Sequence, residues 1–308
     1  MPTVLFASEY HDPVEWLPAL RHHMPEIKVT CWPEVPDPDD IDVLLAWTAL
    51  EEAVRLPNLK LVQCLGAGID HLVGLPIPDR VPLARLVDNS QVAGFVEYVV
   101  GAVLGFHRDR HHFRKSQEKS CWTRRPRMLS CERRVGIMGL GEMGAPCAIA
   151  LSKYDFSVSG WSRTLKTLPG VQCYAGERQL NEFLQGLDIL VCALPLTPGT
   201  DGILNDQLFS KLALGACVIN VGRGGHCNEQ HLVDALASGR LSGALLDVTS
   251  VEPLPTNHPL WNVQGLEITP HIATSQSANS AAAIVAENIR RVRAGHVPLG
   301  AVDRTRGY

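Results

Sequence analysis

Val135-Gly136-Ile137-Met138-Gly139-Leu140-Gly141-Glu142-Met143-Gly144 decides the fold. A short apolar run, strand-like in length, enters a Gly-x-Gly-x-x-Gly turn, and Ala145 to Lys153 continues as a helical pattern. Such a glycine triplet is a weak signal alone and a strong one between a strand and a helix. Gly139 permits the tight turn, Gly141 lets a pyrophosphate approach the backbone at a helix N-terminus, and Gly144 lets helix and strand pack closely. The pattern predicts a dinucleotide site with Gly139, Gly141, Glu142, Met143 and Gly144 as candidate contacts.

Strand-like runs follow at 156–160, 188–193, 216–221 and 243–247, then at Leu266-Glu267-Ile268-Thr269, with helical patterns between them. Upstream, Thr3-Val4-Leu5-Phe6-Ala7, Asp42-Val43-Leu44-Leu45-Ala46 and Lys60-Leu61-Val62-Gln63-Cys64 read as buried parallel strands. Residues 12–23 and 90–117 read as helices. This alternation predicts an α/β protein with doubly wound parallel sheets. A chain of 308 residues is long for one core, so two domains are expected. A last helix near 276–295 is read as returning to the first domain. Residues 1–90 and 275–308 are thus predicted to form a discontinuous, flavodoxin-like substrate domain. Residues 91–274 are predicted to form a Rossmann cofactor domain, with a cleft between the two.

Apolar content of 45% and charged content of 19% fit a soluble globular enzyme. A net charge of −4 gives no footing for wholesale nucleic-acid binding. No apolar stretch is long enough to span a bilayer, and the first residues show no basic leader. Of the nine cysteines none lies within three residues of another, so there is no CxxC motif and no metal is expected. Scattered thiols suit a reducing, cytoplasmic setting. His107, His111 and His112 share a helical spacing, but no Cys or carboxylate cluster completes a ligand set, and a solvated helix face is expected. The basic residues between Arg108 and Arg127 are too local to argue for nucleic acid. They would concentrate anionic ligands.

The strand after the glycine turn ends Ser159-Gly160-Trp161-Ser162-Arg163-Thr164. An NAD-specific site would carry Asp or Glu there, for the ribose hydroxyls. Ser162 stands at that position and Arg163 follows. A hydroxyl beside a guanidinium suits a 2′-phosphate, so NADPH is favoured over NADH, with Lys166 assisting. The alternative is that Arg163 points to solvent.

Three polar residues follow strand ends. Gly222-Arg223-Gly224-Gly225 turns off the run 216–221. Arg223 offers a planar guanidinium that matches a carboxylate in two-point geometry. Glu252 lies five residues past Asp247, in a loop stiffened by Pro253 and Pro255. His271 follows Thr269-Pro270 and is well placed for proton transfer. A nearby Glu252 would favour the imidazolium and orient the ring.

With these segments the chain resembles the D-isomer-specific 2-hydroxyacid dehydrogenase family. The likeness is closest to its glyoxylate/hydroxypyruvate reductase branch in Gly160-Trp161-Ser162-Arg163, Asp247-Val248 through Glu252-Pro253-Leu254-Pro255, Thr269-Pro270-His271-Ile272-Ala273 and Val302-Asp303-Arg304-Thr305-Arg306-Gly307-Tyr308. The resemblance covers nearly the whole chain. It implies that Arg223, Glu252 and His271 are catalytic, Arg223 and His271 also contacting substrate. It places the substrate carboxylate on the amides of Ala67 and Gly68, in Leu65-Gly66-Ala67-Gly68-Ile69-Asp70. Trp47 stands where this branch often has a pocket tryptophan, and core is the equal alternative. Leu194, Pro195 and Asp247 are counted with the cofactor contacts. Gly222 departs from the Ala or Ser of many relatives, which would loosen Arg223 or enlarge the pocket. Gly94-Phe95 departs from more helix-friendly residues. The implied activity is NADPH-dependent reduction of small 2-keto acids, with glyoxylate and hydroxypyruvate as first candidates, in a homodimer whose interface takes in the loop of Trp122. One alternative is a D-2-hydroxyacid dehydrogenase with a different substrate, and the rival class is a dinucleotide-sensing binding protein of the same fold. It is disfavoured because such proteins take NAD(H), and because the chain is expected to end without a disordered interaction tail.

Overall fold

A computed structural model describes residues 1–35, 37–48, 50–274 and 276–304. Ser275 at the expected domain boundary and residues 305–308 of the resemblance-bearing tail lie outside the described residues. The chain divides into two compact units. One holds Met1–Gln91 and the chain from Gln276 onward, and the other runs from Val92 up to position 275.

The first unit is built from β1 (Thr3–Ala7), α1 (Pro13–His23), β2 (Lys28–Cys31), β3 (Val43–Ala46), α2 (Glu51–Val54), β4 (Leu61–Cys64), α3 (Asp70–Val73) and β5 (Leu83–Ala84). The strands form one parallel sheet in the order β2-β1-β3-β4-β5. β1, β3 and β4 are buried on both faces, as unbroken apolar runs require. β2 is a half-exposed edge strand and β5 is two residues long. Neither carries a pattern that marks a strand, and the sequence reading has neither. α1 starts cleanly because the Asp12 carboxylate accepts the Val14 N–H at 2.8 Å and Pro13 opens the helix.

α4 (Asn89–His107) carries the chain out of this unit and is followed by α5 (Arg110–Glu118). The single helix expected over 90–117 is therefore two. Asp109 breaks it with φ of 55°, a left-handed conformation that Asp tolerates better than most residues. Its carboxylate is held by Arg125 at 3.1 Å. The expected solvated histidine face is also corrected. His107 and His111 are buried, their rings 5.1 Å from Phe156 and 5.2 Å from Phe106. Only His112 is partly exposed. Desolvation pushes the His107 imidazole below its usual value and the His111 imidazole down to about 4.

The second unit continues with β6 (Arg134–Met138), α6 (Gly144–Ser152), β7 (Ser157–Ser162), β8 (Val171–Ala175), α7 (Gly176–Leu184), β9 (Ile189–Cys192), α8 (Asp206–Phe209), β10 (Ala216–Asn220), α9 (Glu229–Ala237), β11 (Leu241–Leu246) and β12 (Leu266–Ile268). Its seven strands are all parallel, in the order β12-β11-β10-β9-β6-β7-β8. Two apolar clusters fill the faces of this sheet, one around Phe183, Leu190, Phe209 and Leu246, the other around Val103, Ile137, Leu151 and Ile219. β8 escapes the sequence reading because Gln172, Cys173 and Tyr174 make no apolar run. The strand order reverses between β6 and β9, which is where open sheets of this kind bind ligands.

α10 (Ala278–Arg293) returns to the first unit. It buries Ala281, Ala282, Val285, Ala286 and Ile289 in the core that contains Trp16 and Leu20 of α1. Buried Asn288 donates to Gln63 Oε1 at 2.7 Å and to the Leu299 carbonyl at 3.0 Å, tying the returning segment to β4. Among the described residues no helix is long and apolar enough to cross a membrane, and no cluster of three metal-ligating side chains occurs.

Candidate active site

The glycine turn opens at the switch between β6 and β9. Gly139 has φ of +100° and gives its N–H to the Trp161 carbonyl at 2.8 Å. A Cβ there would stand 2.5 Å from the Ala193 carbonyl oxygen, so position 139 excludes any side chain. A Cβ on Gly144 would stand 1.9 Å from the Gly139 carbonyl oxygen. Gly141 differs, since a Cβ on it would meet nothing within 4 Å. Its backbone is open beside the start of α6, the space that dinucleotide phosphates need, so the residues present fit the cofactor. Glu142 is exposed and Met143 half-buried at the same turn. Across the switch, Leu194 is buried and Pro195 exposed, with the Pro195 carbonyl accepting the Thr200 hydroxyl at 2.8 Å.

At the end of β7 no carboxylate occupies the position that would face ribose hydroxyls. Ser162 is buried and donates its hydroxyl to the Thr164 carbonyl at 2.8 Å. Arg163 and Lys166 are exposed beside it.

The second unit also brings Arg223, Glu252 and His271 together. Arg223 is half-buried just past β10. Buried Asn220 donates to the Arg223 carbonyl at 2.9 Å and accepts the Gly222 N–H at 3.2 Å. Arg223 Nη1 donates to the Gly222 carbonyl at 2.9 Å. His271 Nδ1 lies 2.7 Å from Glu252 Oε2, and Glu252 Oε1 accepts the Thr249 N–H at 3.0 Å. Partial burial works to raise the Glu252 carboxyl. The hydrogen bond and charge of His271, the Thr249 N–H and the charge of Arg223 outweigh it, and the carboxyl is held below its ordinary value. Glu252 is therefore held as the carboxylate, the acceptor facing His271 Nδ1.

His271 is held in a conformation that few residues adopt, with φ of 54°. Its N–H is shared by the Asp247 carbonyl at 2.8 Å and the Thr269 carbonyl at 3.0 Å. The Asp247 side chain, fully buried, fixes the rest of the turn. Oδ1 accepts the Thr269 hydroxyl at 2.7 Å and the Ile272 N–H at 2.8 Å, and Oδ2 accepts the Ala273 N–H at 2.8 Å. Because the Thr269 hydroxyl donates to Asp247, it accepts the Tyr98 O–H from α4. Burial pushes the Tyr98 phenol above its usual value and keeps it protonated.

In the first unit Trp47 follows β3 and the loop of Ala67 and Gly68 follows the neighbouring β4. Trp47 packs over that loop, since a Cβ on Gly66 would stand 2.3 Å from its ring. The indole is half-buried, 4.9 Å from the His71 ring and 5.6 Å from that of His11. Ala67 and Gly68 are half-buried, and the Gly68 carbonyl accepts the Cys64 thiol at 3.4 Å.

Residues 100–273 match the family described as D-isomer specific 2-hydroxyacid dehydrogenase, NAD binding domain, over more than half of the chain. The chain belongs to the D-isomer specific 2-hydroxyacid dehydrogenase family. Among similar solved structures is a member from Xanthobacter autotrophicus Py2 in complex with NADPH and MES. It is 39% identical, covers 100% of this chain and 99% of its own, and superposes with a TM-score of 0.95. An NADPH-dependent glyoxylate/hydroxypyruvate reductase from Sinorhizobium meliloti, solved with NADP and sulfate, is 33% identical over 100% of both chains with a TM-score of 0.93. A probable 2-hydroxyacid dehydrogenase from Rhizobium etli CFN 42, with NADP, HEPES and L(+)-tartaric acid, is 35% identical over 100% of this chain and 99% of its own, with a TM-score of 0.91.

As a 2-hydroxyacid dehydrogenase the chain is an NAD(P)-dependent oxidoreductase. Sequence reasoning missed the residues that hold Arg223, Glu252 and His271 in place, namely Tyr98, Asn220, Thr249 (through its backbone N–H) and Thr269. Asn220, a polar residue closing a wholly apolar strand, was the one with a visible signal. The contacts of Asp247 also favour a role other than cofactor contact, because both its carboxylate oxygens are engaged in the His271 turn.

Proposed function

We propose that this dehydrogenase reduces small 2-keto acids with NADPH, converting glyoxylate to glycolate and hydroxypyruvate to D-glycerate. The observation that carries the reading is the 2.7 Å pairing of His271 with an ionised Glu252, under the charge of Arg223. The relatives from Xanthobacter and Rhizobium that hold NADPH or NADP, and the reductase from Sinorhizobium, support the choice of cofactor and substrate.

Gly139, Gly141, Glu142, Met143 and Gly144 would hold the cofactor's pyrophosphate, with Leu194 and Pro195 beside it. Ser162, Arg163 and Lys166 would take the 2′-phosphate. When bound, NADPH supplies the hydride that C2 of the keto acid accepts. The Arg223 guanidinium and the Ala67 and Gly68 amides bind the substrate carboxylate, and Trp47 covers its small side chain. His271 Nε2 gives its proton to the oxygen on C2, while Glu252 keeps the ring oriented and charged through Nδ1. Asp247 sets the turn that carries His271 and places the ring.

We also propose a cytoplasmic homodimer. All nine cysteines are free thiols, and Trp122 stands 95% exposed in a basic, irregular segment that suits an interface between copies.

The test is oxidation of NADPH, followed by absorbance, across a panel of 2-keto acids. Turnover with glyoxylate and hydroxypyruvate is expected. Tight NADPH binding without turnover of any keto acid would overturn the enzymatic reading in favour of a dinucleotide-sensing protein.

A further inference from the structure

We infer that His226 is a positioning residue for Arg223, and that it fits only because residue 222 is glycine; this rests on the reading of Arg223 as the group that binds the substrate carboxylate. His226 follows Arg223 in the short turn off β10 and is fully buried. Its Nδ1 accepts the Arg223 N–H at 2.9 Å. With Asn220 on the Arg223 carbonyl and on the Gly222 N–H, two buried side chains pin three backbone groups around the arginine. The guanidinium is thus placed by its own backbone, which is fixed before any ligand arrives. Pre-organisation of this kind reduces the ordering cost of binding.

The imidazole occupies the space that a side chain at 222 would take. A Cβ on Gly222 would stand 2.8 Å from His226 Nδ1, 2.9 Å from its Cε1 and 3.0 Å from the Leu194 carbonyl oxygen. Real Cβ atoms are essentially never found under 3.0 Å from a neighbour, as they would be here from two atoms of the fully buried ring, and the Leu194 carbonyl oxygen leaves only a tight fit on its side. The two positions form a matched pair. The glycine neither enlarges a pocket nor loosens Arg223, as its departure from the family's Ala or Ser suggests. It admits the ring that holds the arginine.

The test is steady-state reduction of glyoxylate with NADPH by His226→Leu, His226→Asn, Gly222→Ala and the double variant Gly222→Ala/His226→Asn, with NADPH affinity measured separately and Arg223→Gln run in parallel. Leucine keeps bulk and removes the acceptor, whereas asparagine keeps an acceptor oxygen near the place of Nδ1. His226→Leu and Gly222→Ala are expected to lower kcat/KM about tenfold, chiefly through the KM for glyoxylate, with NADPH affinity unchanged. His226→Asn is expected to keep most of the activity. The double variant is expected to recover most of what Gly222→Ala loses. A His226→Leu enzyme within about twofold of wild type would overturn the inference, as would a His226→Asn enzyme no better than leucine. Should His226→Leu not fold, Gly222→Ala and its rescue decide in the same way. An Arg223→Gln enzyme with an unchanged KM for glyoxylate would remove the underlying reading and the inference together. A raised KM there beside a normal His226→Leu would remove the inference alone.

Discussion

His271 Nδ1 and Glu252 Oε2 meet at 2.7 Å across two loops that follow the adjacent strands β12 and β11. The Glu252 carboxyl stays below its ordinary value against the pull of burial, so it faces the ring as the carboxylate. A carboxylate at Nδ1 favours the charged form of the ring, and a reductase uses the Nε2 proton of that form for the oxygen formed at C2.

The turn that holds His271 is the first place to perturb. Asp247→Asn puts an amide where three donors converge and leaves at least one buried group unpaired, at about 1–3 kcal/mol. The thermal midpoint should fall by about 2–4 °C for each kcal/mol lost. kcat should fall as the left-handed His271 backbone relaxes. Tyr98→Phe removes only the outermost hydrogen bond and should do less to both. Calorimetry and steady-state rates of the two variants check this, and a larger effect from Tyr98→Phe would contradict it.

Cofactor choice should follow Ser162 and Arg163. Ser162→Asp with Arg163→Ala removes a charge-assisted contact worth about 1.5–3 kcal/mol and adds a repelling carboxylate. NADPH affinity should drop on the order of ten- to a hundredfold while NADH gains. Equal or tighter NADPH binding, measured by titration, would place the 2′-phosphate elsewhere.

For Arg223, lysine keeps the charge and loses the planar fork. Arg223→Lys should lose most of kcat/KM for glyoxylate and keep its NADPH affinity. Near wild-type kcat/KM would put this arginine outside the site.

The stretch 135–144 carried most of the fold, since an apolar run, three glycines and a helix pattern agree with one another and with the buried strands on either side. Arg223, Glu252 and His271 were legible because each follows a strand run in a loop marked by Gly or Pro. β2, β5 and β8 were not, because edge strands need no continuous apolar run. The break at Asp109 left no mark, because a single left-handed residue does not disturb periodicity. That break brings His107 and His111 under cover, which spacing alone could not show. The partners of Asp247 and His226 were equally hidden, as they depend on distances across turns.

The buried histidine has a consequence for stability. The His111 imidazole is lowered to about 4 by desolvation, against about 6.5 in an unfolded chain. Between those values the unfolded state binds the extra proton, so this contribution is present above pH 6.5 and is lost as pH falls through 4. The slope is up to about 1.4 kcal/mol per pH unit. Thermal midpoints measured from pH 7 to pH 4 should fall less steeply in His111→Phe than in wild type. Parallel curves would contradict the assignment.

The most direct test of the central claim, that an imidazolium held by Glu252 protonates the substrate oxygen, is the pH profile of kcat/KM for glyoxylate reduction in wild type and Glu252→Gln. Glutamine keeps the shape and a hydrogen-bonding group and deletes the charge. The alkaline limb should move to lower pH, with activity partly kept at acid pH. An alkaline limb that stays where it is in wild type would show that Glu252 does not set the proton on His271, and would contradict the account.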